Sequence, residues 1–499
     1  MGIADYALLA LIHPLEFRAL IQYKLWHENQ RDLTATREQA NSGWDRETMR
    51  ECWTFLDRTS RSFSAVIKQL DGDLARTICL FYLVLRGLDT IEDDMTIPDA
   101  EKQPILRNFH NYLSQPGWTF DKNGPNEKDR DLLVKFHVVI TELDHLQPQC
   151  KAVIVDICEK MQRGMADFAH KATLAAKSSN PDDKYVQSIQ EFDLYCHYVA
   201  GLVGEGLSRL FAASGKEASW IADQLVLSNS MGSLLQKTNI LRDLAEDVDE
   251  GRYFWPKEIW GAYGFKELAE LKEPANQDRA LWALSGMTLD TMRHVTDALD
   301  YLTLLKNQSV FNFCAIPAVM ALATLDVCFM NPAVLVRNVK IRKGQAVRLI
   351  MDATNPRDVA VICRDYVRSI HHKISPQDPN FMKLSIMCGR VEQWVEHHYP
   401  SIISVVTSQP QPDGTRTTHA KITPDESDAR LRILKREVEI HKLKIGPAGL
   451  NPGPRYEQEG LPKELYLVIF GGLLVTCMLG LGLVFGVVYL ADWFDDINA

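Results

Sequence analysis

Two short acidic motifs contain residues that could bind a divalent cation. The first is Asp89-Thr-Ile-Glu92-Asp93 and the second is Asp243-Leu-Ala-Glu246-Asp247. Side chains at positions i, i+3 and i+4 lie on one face of an α-helix, so each motif is expected to project its three carboxylates together. Carboxylates at such close range repel one another, and a cation offsets that repulsion. Mg²⁺ is favoured because it is a hard ion that prefers oxygen ligands and shares itself with phosphates.

The surroundings of both motifs favour metal binding over a solvated acidic face. An apolar stretch, residues 78–85, runs directly into the first motif, and Ile240 and Leu241 precede the second. With 65 Asp and Glu residues in the chain, acidic clusters also arise by chance, but a solvated face rarely lies within such apolar sequence. An arginine also precedes each motif closely, Arg86 or Arg242, and its planar guanidinium suits phosphate oxygens. The two motifs therefore predict a site for Mg²⁺ and a diphosphate.

Composition limits the class of partner. The chain has 499 residues, a hydrophobic share of 46% and a formal net charge of −10. This acidic balance argues against nucleic acid as the main partner, because binding to the phosphate backbone requires a basic face. Ten cysteines occur singly, without paired metal-type spacing. Such thiols are typical of small core residues in a reducing compartment.

Hydrophobic periodicity predicts an all-α protein. Apolar residues recur at helical spacing through much of the chain, whereas alternating strand-like runs are scarce. Three glycines, Gly201, Gly204 and Gly206, lie inside one helical segment, and close helix packing explains them better than a dinucleotide fingerprint. We expect the chain to divide into an N-terminal segment, a catalytic helical domain, a flexible linker with a short surface helix, a transmembrane anchor and a short lumenal tail, at residues 1–43, 44–406, 407–464, 465–490 and 491–499.

The C-terminal run over residues 465–490 is predicted to cross a membrane. It is uncharged and longer than the ~20 residues that a helix needs to span the hydrocarbon core. Arg455 and Lys463 precede it and acidic residues follow it, which by the positive-inside tendency leaves the large domain in the cytoplasm. A second apolar stretch, residues 309–336, contains polar residues such as Asp326 and is interpreted as a buried helix that lines a cavity.

Several motifs, in order along the chain, resemble one known family. They are Ser60-Arg-Ser-Phe63, Asp89-Thr-Ile-Glu-Asp-Asp-Met-Thr96, Tyr195-Cys-His-Tyr-Val-Ala-Gly-Leu-Val-Gly204, Asn239-Ile-Leu-Arg-Asp-Leu-Ala-Glu-Asp247, Phe254-Trp-Pro256, Phe311-Asn-Phe-Cys-Ala-Ile-Pro317 and Val339-Lys-Ile-Arg-Lys-Gly344. The pattern is similar to the squalene synthases of fungal type, which are membrane-anchored members of the head-to-head prenyl synthases. The likeness runs from about Trp44 to Tyr399 and extends to the C-terminal run.

The resemblance implies an isoprenoid synthase-type fold, in which mostly antiparallel helices surround a central channel. It implies a two-step reaction on two molecules of farnesyl diphosphate. Head-to-head condensation gives presqualene diphosphate, and an NADPH-dependent reductive rearrangement then gives squalene for sterol biosynthesis. The implied cofactors are Mg²⁺ and NADPH. The implied location is the endoplasmic reticulum membrane, with other sterol-pathway enzymes as further partners.

The resemblance also assigns roles to individual residues. Both acidic motifs would hold Mg²⁺, and Arg61, Arg86 and Arg242 would bind the diphosphate, so that the charge of the leaving group is stabilised electrostatically. Tyr195 matches the tyrosine that handles the proton lost as the cyclopropane ring closes, and Tyr82 is a further catalytic residue.

The resemblance also implies roles for an aromatic residue and for a basic segment. Phe313 matches an aromatic part of the channel, where ring faces stabilise cations by roughly 0.5 to 2 kcal/mol each and exclude water. Lys340, Arg342 and Lys343 match a basic segment associated with NADPH, whose extra phosphate suits clustered positive charge.

Two alternatives stay open from the sequence. One is a head-to-head enzyme that stops at a non-reduced product, as phytoene synthases do. The other is a membrane-tethered scaffold that binds isoprenoid lipids without catalysis. The C-terminal run and the basic segment argue against the first, and the intact acidic motifs with Tyr195 argue against the second.

Overall fold

A computed structural model describes residues 9–26, 31–60, 63–175, 177–178 and 180–400 of the protein. Every regular element within these ranges is helical, which confirms the predicted all-α class. Arg61 lies outside the described residues, as do the proposed linker, transmembrane anchor and lumenal tail. The predictions for those parts therefore stay predictions.

The α-helices are numbered here in chain order. In the first part of the chain they are α1 (Pro14–Trp26), α2 (Gln39–Ser42), α3 (Glu47–Ser60), α4 (Phe63–Lys68), α5 (Leu74–Asp93), α6 (Asp99–Tyr112), α7 (Arg130–Val134), α8 (His137–Leu143), α9 (Pro148–Ala175) and α10 (Ile189–Cys196). The later ones are α11 (Leu202–Ala213), α12 (Leu225–Arg242), α13 (Leu244–Asp249), α14 (Lys257–Trp260), α15 (Gln277–Met292), α16 (Val295–Leu304), α17 (Gln308–Cys328), α18 (Lys343–Asp352), α19 (Pro356–Lys373) and α20 (Phe381–His398).

Shorter helices connect several of these elements. The segment His197–Gly201, between α10 and α11, is a π-helix. The 3₁₀-helices are Thr36–Glu38, Pro181–Lys184, Ser219–Asp223, Gly261–Tyr263, Leu268–Lys272, Pro274–Asn276 and Pro332–Leu335.

Two buried helices, α5 and α12, place the acidic motifs. Most residues of α5 are apolar and buried on all sides, as expected for a helix surrounded by other helices. It packs against α3, α6, α9 and α11, while α12 packs against α11, α16 and α17. Helix α5 ends at Asp93 and α12 ends at Arg242, so the first motif forms the C-terminal end of α5 and the second begins directly after α12.

Close contact between α11 and α12 explains the predicted glycine cluster. A Cβ atom on Gly204 would lie 2.3 Å from the carbonyl oxygen of Ser228. On the other helix, a Cβ atom on Gly232 would lie 2.3 Å from the carbonyl oxygen of Ala200. Only glycine permits backbones to approach so closely. A Cβ atom on Gly201 would lie 2.0 Å from the side chain of Asn229, and one on Gly206 would lie 2.5 Å from the ring of Phe81, so the interpretation of the three glycines as packing residues is confirmed.

Helix α17 accounts for the second apolar stretch of the sequence. It is the one helix of the described residues that is long and apolar enough to cross a membrane, and 72% of its apolar window is buried within the protein. Asp326, near its end, pairs with the Lys373 ammonium at 2.7 Å. A buried helix with a paired polar group is typical of a protein core, as the sequence indicated.

The cysteines of the described residues are unpaired and buried. Burial raises the pKa values of the Cys52 and Cys79 thiols well above their usual range, so both stay protonated at neutral pH. The prediction that the thiols act as small core residues is confirmed for this part of the chain.

Candidate active site

The first acidic motif forms a cluster of three carboxylates at the C-terminal end of α5. Ligand oxygens of Asp89, Glu92 and Asp93 all lie within 4.8 Å of one another, and these residues are the one such group within the described residues. The C-terminal end of a helix carries a partial negative charge, which makes the position unfavourable for carboxylates. Lys102 offsets part of this charge by donating a hydrogen bond of 2.7 Å to the backbone carbonyl of Glu92. The remaining repulsion favours a cation between the carboxylates.

Asp94, the acid that directly follows the first motif, has a structural role. Asp94 accepts hydrogen bonds from the backbone N–H of Thr96 at 2.8 Å and of Gly124 at 2.9 Å. Its other partners are the Thr96 hydroxyl and the Asn123 amide. These bonds hold the pKa of Asp94 below its usual value although burial alone would raise it. Asp94 fixes the turn after α5, and the other three acids face the site.

The clustered carboxyls titrate far from their ordinary range. Burial, together with the neighbouring Asp93, raises the pKa of Asp89 to about 7 although Arg86 lowers it. Burial and the two aspartates raise the pKa of Glu92 well above its usual value. The pKa of Asp93 is raised by burial and lowered in part by Arg252. Each shift means that the ionised cluster is unfavourable in the metal-free protein.

These shifts predict that the acidic cluster of the metal-free protein costs more stability as the pH rises from about 4 to about 7. In that window folded Asp89 keeps its proton, since its pKa rises from 3.8 to about 7, whereas the unfolded chain has already released it. At Asp89 the folded state binds more protons, so this carboxyl lowers the free energy of unfolding as the pH rises, whereas buried His294, whose pKa is lowered to about 3, acts in the opposite direction. Added Mg²⁺, which binds ionised carboxylates, is expected to raise the melting temperature more at about pH 8 than at about pH 5.

Thermal unfolding with Mg²⁺, or with Na⁺ at equal ionic strength as the control, measures this difference. An increase in melting temperature that is the same at both pH values would contradict the prediction.

Arg86 links the cluster to Tyr82. Its guanidinium donates to the Asp89 carboxylate at 2.7 Å and to the Tyr82 hydroxyl at 3.2 and 3.3 Å. It also lies 3.9 Å from the carboxylate of Asp129. Of the two residues predicted from the sequence, Arg86 therefore contacts the first motif and Tyr82 contacts Arg86, while Asp129 is an addition that the sequence did not indicate.

The second acidic motif differs from the expected single helical face. Helix α12 ends at Arg242 and α13 begins at Leu244, so Asp243 lies between two helices. Arg242 donates to both carboxylate oxygens of Asp243 at 2.7 and 2.6 Å. The helix is therefore interrupted at Asp243. The prediction that Asp243, Glu246 and Asp247 together hold a metal stays a prediction.

Two further side chains hold the second motif in this arrangement. The Asn338 amide donates to Asp243 at 2.5 Å and to Glu246 at 3.2 Å. Arg252 donates to Asp247 at 2.8 Å. Burial raises the pKa of Asp247 to about 6 although Arg252 opposes the shift. The second motif thus consists of paired carboxylates, in contrast to the closely grouped first motif.

Arg252 connects the two motifs electrostatically. Besides its bond to Asp247, its charge lowers the pKa values of Asp89, Glu92 and Asp93. The first and second motifs therefore lie within the range of one guanidinium. Sequence reasoning missed Arg252, although its position five residues after Asp247 and before the Phe254-Trp-Pro256 motif was a signal that could have identified it.

Tyr195 is buried beside the first motif. Its ring stacks on Phe254 with centroids 4.9 Å apart and meets the edge of Phe168 at 5.2 Å. Burial raises the pKa of the Tyr195 phenol well above its usual value, and the charges of Glu92 and Asp93 raise it further. The phenol is therefore neutral at physiological pH and lies within electrostatic range of the clustered carboxylates.

A buried ion-pair network fixes the helix that carries Tyr195. The ammonium of Lys237, on α12, is fully buried and lies 2.5 Å from Asp193 and 2.6 Å from Asp290. Arg293 also pairs with both aspartates. Asp193 precedes Tyr195 by two residues, and the π-helix begins directly after α10. This network holds α10, α12 and α15 together close to the candidate site.

Replacement of Lys237 by methionine is expected to destabilise the protein by about 3 kcal/mol, because it removes the fully buried cation and leaves Asp193 and Asp290 with Arg293 as their one charged partner. Denaturant unfolding of Lys237→Met measures the loss. Lys135→Met is a matched control, since Lys135 pairs with Glu51 on the protein surface, where solvent screens the pair. Equal stability of the two variants would show that the buried network contributes no more than a surface pair.

The predicted aromatic residue Phe313 lies in the core. It is buried on α17 and meets the ring of Phe211 edge-on, with centroids 6.1 Å apart. Phe311 is buried on the same helix. These positions agree with an apolar lining, and the catalytic role of Phe313 stays a prediction.

The three residues of the basic segment, Lys340, Arg342 and Lys343, differ in their contacts. Lys340 and Lys343 are exposed, whereas Arg342 donates to the carboxylate of Glu16 at 2.5 Å. Glu16 belongs to α1, far away in the sequence and itself nearly buried. Asn338, two residues before Lys340, contacts the second motif, so the loop that carries the basic segment begins at the candidate site.

Comparison with known proteins decides the family. The family model for squalene/phytoene synthase matches residues 56–345, which include both acidic motifs, Tyr195 and the basic segment. The chain belongs to the squalene/phytoene synthase family. Its predicted similarity to the fungal squalene synthases is confirmed by curated relatives. The squalene synthase of Ganoderma lucidum is 56% identical over 87% of this chain and 92% of its own length.

Other members of the family are also similar to this chain over most of their length. The squalene synthase of Schizosaccharomyces pombe is 48% identical over 80% of this chain and 86% of its own. The solved structure of TcSQS with the ligand E5700 has a TM-score of 0.66 and 37% identity, and the match covers 70% of this chain and 98% of that one. The predicted isoprenoid synthase-type helical fold is therefore confirmed for the matched residues.

Proposed function

We propose that the protein joins two molecules of farnesyl diphosphate head to head and reduces the resulting presqualene diphosphate to squalene with NADPH. The observation that carries this proposal is the cluster of Asp89, Glu92 and Asp93 beside Arg86, within electrostatic range of the buried Tyr195 phenol. Similarity to chains named squalene synthase over most of their length supports it.

The donor set of the first motif fits Mg²⁺. All three groups are carboxylates, their oxygens converge within 4.8 Å, and their raised pKa values mark a shortage of positive charge. When bound, Mg²⁺ would neutralise charge on the departing diphosphate. Asp243, Glu246 and Asp247 are proposed to complete the metal site after their present pairs open.

Arginines border both motifs and would bind diphosphate oxygens. Arg86 pairs with Asp89 at 2.7 Å, Arg242 with Asp243 at 2.6 Å, and Arg252 with Asp247 at 2.8 Å. A diphosphate that accepts hydrogen bonds from these guanidinium groups would release the carboxylates toward a cation. Metal and diphosphate are therefore expected to bind together more tightly than either binds alone. Arg61 is proposed to join this set on the family resemblance.

Tyr195 is proposed to relay the proton released when the cyclopropane ring closes. Because its raised pKa keeps the phenol protonated, Tyr195 cannot act as a simple base. Its oxygen can accept the proton from carbon while its own proton passes to an oxygen of the freed diphosphate. The net result moves one proton from carbon to diphosphate and leaves Tyr195 unchanged. Tyr82 would orient Arg86 during this step, because its hydroxyl accepts from that guanidinium.

Aromatic and apolar residues would protect the carbocations. Phe313 and Phe211 form part of a buried apolar region on α17 and α11, from which water is excluded. Ring faces in such surroundings stabilise a cation without reacting with it. Phe313 is therefore proposed to stabilise the intermediate of the second step.

The basic segment is proposed to bind the phosphates of NADPH. Lys340 and Lys343 are exposed and can accept an anion directly. Arg342 is engaged by Glu16, so a nucleotide phosphate would have to displace that carboxylate before Arg342 could join the site. The proposed NADPH site therefore rests on Lys340 and Lys343, because Arg342 is already paired.

The proposed location is the endoplasmic reticulum membrane, with the catalytic residues on the cytoplasmic side. The apolar sequence of residues 465–490 and the basic residues before it support this location. Further partners in the sterol pathway are proposed on the family resemblance.

The activity is tested with the purified full chain, farnesyl diphosphate and Mg²⁺, with and without NADPH. We expect squalene in the complete mixture and accumulation of presqualene diphosphate when NADPH is omitted. A non-reduced hydrocarbon as the product of the complete mixture would favour a phytoene synthase-like reaction. No consumption of farnesyl diphosphate would favour a non-catalytic scaffold.

A further inference from the structure

Helix α1 and the helical turn before it expose a stripe of large apolar side chains. Leu11 is 82% exposed, Leu15 61%, Ile21 45% and Leu25 42%. Leu11 and Leu15, and likewise Ile21 and Leu25, are four residues apart, and the exposed Arg18 lies between the two pairs. Scattered apolar residues on a surface are ordinary, but several large apolar side chains exposed on one side of a helix mark a surface with a partner.

In this segment the acidic side chain is buried and the basic side chains are exposed. Glu16, the only acid among residues 9–26, is 8% exposed and points inward to Arg342. Arg18 and Lys24 are exposed with the apolar stripe. The outward side is therefore apolar and basic, and the inward side holds the acid.

The packing of α1 keeps the apolar stripe on the outside. Helix α1 packs along α18, and a Cβ atom on Gly344 would lie 2.7 Å from the Cβ atom of Glu16. The ion pair between Glu16 and Arg342 at 2.5 Å fixes the same side. Rotation of the stripe into the core would break this pair and the close approach to Gly344.

We propose that the exposed stripe of α1 lies on a lipid bilayer, in the interface between headgroups and acyl chains. A helix that exposes large apolar side chains together with Arg and Lys, and no acid, is suited to anionic headgroups above acyl chains. The proposed membrane anchor at residues 465–490 belongs to the same chain and would hold the domain at the bilayer, so a weak interfacial contact is sufficient to orient it.

A second copy of the chain is a less favoured partner for the exposed stripe of α1. Two such stripes placed against each other would bring Arg18 and Lys24 of one copy toward the same residues of the other. The stripe contains no acid to pair with them, and like charges across an interface are unfavourable. The lipid contact goes beyond the proposed reaction and does not depend on it.

The test uses the full chain in vesicles of phosphatidylcholine and phosphatidylserine. A nitroxide label is attached at Leu15→Cys or Leu25→Cys, in a background where Cys477 is replaced by serine, because the cysteines of the described residues are buried. Ser114→Cys, on an exposed position after α6, is the matched control. Collision of each label with oxygen, which partitions into lipid, is compared with collision with a water-soluble nickel complex.

We expect the labels at positions 15 and 25 to lose collision with the nickel complex and to lie about 5–10 Å below the headgroups, whereas the label at position 114 stays accessible to it. Access of all three labels to the nickel complex would overturn the proposal. Dipolar coupling between labels of two copies, lost on dilution in lipid, would also overturn it in favour of self-association. Turnover of the labelled proteins is measured in parallel, so that loss of fold is distinguished from loss of lipid contact.

Discussion

Replacement of Asp89 by asparagine is expected to lower kcat for consumption of farnesyl diphosphate by roughly 10²- to 10³-fold. Asparagine keeps the size of the side chain but removes one charge from the cluster that faces the leaving diphosphate. The pair with the Arg86 guanidinium at 2.7 Å is lost at the same time. Single-turnover kinetics at saturating Mg²⁺ measures the effect on the chemical step.

The same variant is expected to be more stable than the wild type without metal. Since burial and the neighbouring Asp93 raise the pKa of Asp89 to about 7, its ionisation costs stability above that pH. Asparagine avoids the cost, which is about 1 kcal/mol for a side chain that is 31% exposed and partly screened. The gain should vanish at about pH 5, where Asp89 is already protonated.

Asp167→Asn is the matched control, because Asp167 is 65% exposed on α9 and pairs with Arg107 on the surface. Turnover close to that of the wild type in Asp89→Asn, while the control behaves as expected, would remove Asp89 from the metal site. Lower activity together with lower stability would indicate a structural role in place of a catalytic one.

Replacement of Tyr195 by phenylalanine is expected to lower the rate of the first step by roughly 10²- to 10⁴-fold, the usual contribution of a positioned proton-transfer group. The ring and its stacking on Phe254 at 4.9 Å are retained, so the fold should be unchanged. Rapid-quench analysis of presqualene diphosphate formation measures the step directly.

Supplied presqualene diphosphate separates the two steps in this variant. With NADPH it should be converted to squalene at a rate close to that of the wild type, because the proton is lost before this intermediate forms. Tyr198→Phe, three residues along and half-buried, is the matched control. A normal first step in Tyr195→Phe would show that the diphosphate accepts the proton without a relay.

The sequence predicted the first acidic motif well because its chemistry is local. Asp89, Glu92 and Asp93 belong to one helix, so helical periodicity alone determines that their carboxylates converge. The same local reasoning predicted the buried helix α17, whose composition makes burial favourable along its whole length. The reaction was predicted from the family resemblance, because helical periodicity does not indicate a reaction.

The sequence could not predict the features that depend on distant partners. Asp243 leaves its helix and pairs with Arg242, while Asn338 reaches it from nearly a hundred residues away. Arg252 acts on both motifs only because the fold brings α5 and the turn after α13 together. The inward position of Glu16 depends on Arg342 in the same way. Such contacts are set by tertiary packing, which neighbouring residues do not encode.

The first acidic motif is proposed to hold the metal against the diphosphate. Mn²⁺ replaces Mg²⁺ in a pulsed electron paramagnetic resonance measurement with a non-cleavable thio analogue of farnesyl diphosphate. We predict a phosphorus hyperfine coupling to Mn²⁺ in the wild type that is lost in the triple variant Asp89→Asn, Glu92→Gln, Asp93→Asn. Retention of the full coupling in a folded triple variant would contradict the account, because the metal would then be held by other groups.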